Sequence, residues 1–90
     1  MQAGQFQLYQ NFPNPFNPVT TIRFYVVNSN HVTLKLFNVL GQELATVVSA
    51  NMYPGMHQTV FDASAVPTGV YFYRLAIGQF NSSKAMILAK

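Results

Sequence analysis

Apolar and polar residues alternate along much of this chain. In the stretch TIRFYVV, Ile22, Phe24 and Val26 fall on one face, with Thr21, Arg23 and Tyr25 on the other. In VTLKLFN, Val32, Leu34 and Leu36 oppose Thr33, Lys35 and Phe37. A period of two is the mark of a strand with one buried face. Between the two runs, Asn28 to His31 reads as a polar turn. Gly41 follows Asn38 closely enough to take a turn position with positive φ, which other residues resist. Beyond it, Leu44, Val47 and Val48 fit either a short strand with a bulge or one helical turn. The β-branching of both valines favours the strand.

Pro54-Gly55 opens a further strand predicted over Met56 to Asp62. DASAVPTG reads as a loop ending at Gly69. VYFYRLAI then sets Tyr71, Tyr73, Leu75 and Ile77 against Val70, Phe72, Arg74 and Ala76, and Arg74 marks the tyrosine face as the inner one. Gly78 to Ser82 reads as a hairpin connection, and KAMILAK as the last strand. Short strands about 10–12 residues apart, with turn chemistry between them, predict an all-β fold, an antiparallel β-sandwich of about 6–7 strands.

One stretch breaks the alternation. NFPNPFNP, residues 11–18, holds three of the five prolines. Proline fixes its own φ and biases the preceding residue toward extended geometry, so neither a helix nor a central strand runs through it. It reads either as a rigid segment clamping the β-domain, with Pro13 to Pro18 covering a sheet edge, or as a proline-rich ligand for an aromatic groove. On the clamping reading Phe16 plugs the core.

Composition narrows the function. Ninety residues, half of them hydrophobic, make one domain with a modest core. The five cations, Arg23, Lys35, Arg74, Lys84 and Lys90, are scattered singly, unlike the clustered charge of a nucleic-acid surface. Without cysteine there are no disulfides, zinc-thiolate sites or thiol chemistry. No apolar run reaches the length of a membrane-spanning helix. MQAGQFQ lacks the layout of a signal peptide, and the chain reads as a module from a longer protein. Glu43 and Asp62 are the only carboxylates. His31 and His57 make at best a sparse metal site with Asp62, and read better as ordinary turn and strand residues. No phosphate loop, zinc spacing or nucleophile elbow is present. The expectation is a non-enzyme without cofactor or metal.

LYQNFPNPFNPVTTIRF, LKLFNVLGQELATVV and TGVYFYRLAIGQFNSSKAMILAK, in this order, closely resemble the C-terminal sorting domains of the type IX secretion system. These are immunoglobulin-like modules on proteins exported across the outer membrane of Bacteroidetes and relatives. The chain is also similar to the immunoglobulin-like domain of the flagellar hook-capping protein. The resemblance runs from about Leu8 to Lys90. It implies an immunoglobulin-like sandwich at 8–90, with 1–7 as the remnant of a flexible linker. The family's first motif falls on Pro13, Asn14 and Pro15, followed by Phe16. Its second falls on Asn38, Gly41 and Gln42, and its third on Gly69 and Tyr71 with Lys84 downstream. Asn38 stands where the family has aspartate, and Gln42 where it has arginine. A structural pair would survive as a neutral Asn–Gln hydrogen bond; an arginine read by the machinery would be missing.

The resemblance implies a non-catalytic sorting signal that sends a passenger to the cell surface or medium. The implied partners are outer-membrane translocon components and an upstream passenger, expected to be an enzyme behind a signal peptide. Tyr71 fits a core tyrosine bonded to backbone, as at an immunoglobulin-like corner. The last strand, with Lys84 and Lys90 on one face with Met86 and Leu88, is the candidate address, with strand addition at its edge one option. The alternative is a structural or carbohydrate-binding module, which would show Tyr25, Phe37 and Phe72 in a row.

Overall fold

A computed structural model describes residues 5–90. Seven strands follow one another: β1 (Gln7–Leu8), β2 (Val19–Val26), β3 (Asn30–Phe37), β4 (Glu43–Met52), β5 (Gly55–Asp62), β6 (Gly69–Ile77) and β7 (Phe80–Leu88). They form two antiparallel sheets, one ordered β1-β2-β5 and the other β4-β3-β6-β7. The alternation seen in the sequence is the burial pattern of the sandwich. Ile22, Phe24 and Val26 meet Val32, Leu34 and Leu36, together with Tyr71, Tyr73, Leu75 and Ile77, in one core. The tyrosine face of β6 is the inner one, as Arg74 on the other face predicts.

Several boundaries move. Asn30 and His31 belong to β3 and not to the turn before it. The region after Gly41 is a strand, and it is long, running to Met52. Leu34 pairs with Val48 and Lys35 with Thr46, then Leu36 with Ala45 and Phe37 with Glu43. Val47 and Leu44 are thus the extra residues of two bulges. The last strand starts at Phe80, four residues before the expected Lys84. The hairpin needs only Gly78 and Gln79, because Ile77 pairs directly with Phe80. Gly78 has φ 58°, the positive value that a two-residue type II′ turn requires at its first position. Polar Asn81, Ser82 and Ser83 disguise the start of the strand in the sequence.

Of the expected linker, residues 1–4 lie outside the described residues. Gln7 pairs with Tyr25, and the Phe6 ring packs 5.5 Å from that of Phe80.

Candidate functional site

The proline-rich stretch is a clamp between the two sheets. On one side Phe12 bridges Thr21 of β2, with backbone bonds of 3.0 and 2.8 Å. On the other side Phe16 donates to the Ile87 carbonyl at 2.9 Å and accepts from the Ala89 amide at 3.0 Å, bridging Leu88. Asn14 Oδ1 accepts the Ile87 amide at 2.9 Å, and Gln10 Nε2 donates to the Ala85 carbonyl at 2.7 Å. The backbone groups that β7 turns away from β6 are therefore satisfied from the Ala85 carbonyl to the Ala89 amide. The Phe16 ring is 2% exposed and is a core plug, while Pro13 and Pro15 are exposed. The peptide bonds preceding Pro13, Pro15 and Pro18 are cis.

A buried polar knot fixes the clamp. The Tyr73 hydroxyl donates to the Tyr9 carbonyl and accepts from the Asn11 amide, both at 2.8 Å. Asn11 Nδ2 donates to Thr20 Oγ1 at 2.9 Å, and both side chains donate to the Pro13 carbonyl. Burial pushes the Tyr73 hydroxyl up to about 12, the Asn11 amide opposing in part. Nothing in the sequence marks Asn11, Thr20 and Tyr73 as a unit: parity places Tyr73 inside but does not name its partners.

The second motif is a self-capped turn. Gly41 donates to the Asn38 carbonyl at 3.0 Å and has φ 81°, closing a three-residue hairpin loop. Asn38 Oδ1 accepts from the Leu40 and Gln42 amides at 2.9 and 3.0 Å. Asn38 Nδ2 donates to Gln42 Oε1 at 2.8 Å, the neutral pair in place of a charged one. The turn holds Val39 and Leu40 out in solvent, 66% and 79% exposed. Beside it, a shallow hollow of about 380 Å³ lies on the outer face of the four-stranded sheet. Phe37, Asn38, Val39, Gly41, Phe72 and Arg74 line it, the Arg74 guanidinium lying 4.6 Å from the centre of the Phe37 ring. Phe37 and Phe72 are direct cross-strand neighbours, but Tyr25 lies on the other sheet, so the expected row of three is not formed.

In the third motif, Gly69 opens β6 and the Tyr71 hydroxyl donates to the Pro67 carbonyl, the corner bond expected of it. The two lysines part company. Lys90 is tied down, its ammonium donating to the Ser64 and Val66 carbonyls and its amide accepted by Thr68 Oγ1. The loop it closes is braced by Asp62, whose carboxyl is held below its ordinary value, first by the Ser64 hydroxyl and then by the Ser64 amide and the Lys90 charge. Lys84 is half-buried midway along β7, opposite Tyr73, on the face it shares with Met86 and Leu88. The one ion pair among the described residues joins Lys35 and Glu43 at 3.3 Å, which leaves Lys84 unpaired. The outer edge of β7 is filled from the Ala85 carbonyl onward by the chain's own clamp, which leaves no room for an added strand there, and Lys90 is engaged within the fold.

Topology gathers most of these residues at one end of the sandwich. Phe16 meets Leu88 where β7 ends, β6 begins at Gly69, and β3 ends at Phe37 before the Asn38 turn. Residues 13–16, 38–42, 69–71 and 90 thus share an end, while Lys84 lies further along. The chain enters from the opposite end, where Gln7 pairs with Tyr25. His31 and His57 lie on different sheets, bonded to Asn51 and to the Tyr53 carbonyl respectively. Among the described residues no cluster of three His, Asp or Glu side chains is placed to hold a metal ion.

Against known families, the family described as the secretion system C-terminal sorting domain matches residues 10–89. No curated protein matches the chain.

Proposed function

The chain belongs to the family of secretion system C-terminal sorting domains, and from that premise we propose how it presents its address. It is a non-catalytic sorting signal of the type IX system, whose proteins are exported across the outer membrane to the cell surface or medium. In our reading a passenger, expected to be an enzyme, precedes the domain, with 1–7 as the joint and 8–90 as the address-bearing sandwich. The secretion machinery reads the end at which the motifs gather: Pro13, Asn14, Pro15, and the Asn38–Gln42 turn with its exposed Val39 and Leu40. Phe16, Gly69, Tyr71 and Lys90 shape that end from within. Lys84, unpaired midway along β7, is a further contact.

One observation supports this reading above the others. Three motifs far apart in sequence share one end of the sandwich, while the chain enters from the other. A passenger on the N-terminal side then leaves the motif end open to the machinery.

The test is a fusion of residues 8–90 behind a reporter carrying its own signal peptide, in a bacterium that possesses the type IX machinery. The reporter is expected at the cell surface or in the medium. A folded fusion retained in the periplasm contradicts the reading.

A further inference from the structure

The sandwich has four strand edges, and three are guarded. β1 is two residues long and runs on into the proline-rich stretch. β7 is covered from the Ala85 carbonyl to the Ala89 amide by the clamp described above, and the half before it carries Lys84 on its inner face, a charge that discourages pairing. β4 is interrupted by two bulges, at Val47 and Leu44. Shortness, covering and bulges are each recognised ways of keeping an edge from pairing with another chain. β5 has none of them. Its eight residues pair with β2 from Val19↔Asp62 to Val26↔Gly55 without a register shift. It contains no proline and no lysine, and its only formal charge is Asp62 at the very end. Met56 and Val60 on its outer face are 53% and 61% exposed.

We infer that the free edge of β5 is a pairing surface for a second copy of this chain, joining two three-stranded sheets into one six-stranded sheet. In a continuous antiparallel sheet, residues directly opposite each other point to the same face, so only registers that match outer residues with outer residues are allowed. The register centred on Gln58 places Met56 against Val60 of the second copy, and Gln58 against its own counterpart. On the inner face it places His57 against Thr59 and Gly55 against Phe61. No charged residue enters this ladder, so two copies of a protein with net charge +3 meet there without direct repulsion. The exposed methionine and valine cover each other on both sides of the two-fold axis. Because the other three edges are guarded, pairing through β5 closes at a dimer and does not propagate into a fibre.

Sedimentation of the isolated chain over a concentration series tests this. A reversible monomer–dimer equilibrium is expected, and a monomer at every concentration overturns the inference. Gln58→Lys sets two ammonium groups opposite each other, flanked by Arg23 of each copy, the cross-strand neighbour of Gln58. Since Gln58 is exposed, the variant folds, and its self-association is expected to weaken about tenfold. An equimolar mixture of Gln58→Lys with Gln58→Glu should associate more tightly than Gln58→Lys alone. Dimerisation unaffected by Gln58→Lys, or no recovery in the mixture, overturns the assignment to β5. As a control, Asn51→Lys on the bulged β4 edge should leave the equilibrium unchanged; an equal loss there also overturns it.

Discussion

β7 and β5 are both edge strands of eight or nine residues, yet the molecule treats them in opposite ways. The C-terminal half of the outer side of β7 is held by Gln10, Asn14 and Phe16, and behind these stands the Asn11–Thr20–Tyr73 knot. Among the described residues no strand lies along the outer side of β5. The difference explains why a small β-domain spends so many prolines near its start. A segment that cannot donate from its proline nitrogens and cannot become helical suits the task of lying across an edge without inviting further pairing. A partner cannot add a strand beside Ile87 without displacing Phe16 from the core.

The contrast can be broken most severely at Phe16. Phe16→Ala empties a fully packed ring site and should cost ~3–5 kcal/mol. In a domain with a small net stability, the thermal melt should then show a largely unfolded chain. A melting curve equal to that of the wild type would mean that the clamp contributes nothing. Next comes Tyr73→Phe, which strands the buried Asn11 amide and Tyr9 carbonyl and should cost ~1–3 kcal/mol in a urea titration.

The same hydroxyl predicts a pH dependence. Its value is raised in the folded state, from 10.0 to about 12, because burial disfavours the phenolate. The folded chain therefore holds this proton more tightly than the unfolded chain does. The resulting stabilisation is complete below about pH 10 and is lost as pH rises toward about 12. Tyr73→Phe should remove that component of the alkaline loss, which melts of both proteins across this range would reveal.

Smaller effects sharpen the comparison. Asn14→Ala removes the acceptor for the Ile87 amide at a solvent-exposed site, and ~0.5–1.5 kcal/mol of stability should go with it. Lys84→Glu should change stability by no more than ~1 kcal/mol, since the side chain makes no ion pair. Its informative readout is export of the reporter fusion: strong loss makes Lys84 part of the address, and wild-type export removes it.

Much of this was legible in the sequence, and the rest fails for identifiable reasons. Alternation gives the face of each strand, so the core from Ile22 to Leu88 could be read directly. The family resemblance implies the Asn38–Gln42 bond and the Tyr71 corner, and in both the partners lie within a few residues. Alternation says nothing about neighbours, so the sequence did not reveal that β7 is covered and β5 bare. Long-range polar partners were equally invisible: Asn11 and Tyr73 are 62 positions apart. Lys90 looked free because the loop carbonyls that hold its ammonium carry no side-chain signature. The start of β7 was missed because Asn81 to Ser83 have the composition of a turn while pairing as a strand.

Amide hydrogen exchange, followed residue by residue in a solution dilute enough to keep the chain monomeric, compares the two edges most directly. The Ile87 and Ala89 amides donate to Asn14 Oδ1 and the Phe16 carbonyl, and both should exchange slowly, as amides of a central strand do. The amides of β5 that face away from β2 should exchange quickly. Exchange at Ile87 and Ala89 as fast as at those β5 positions would contradict the clamp.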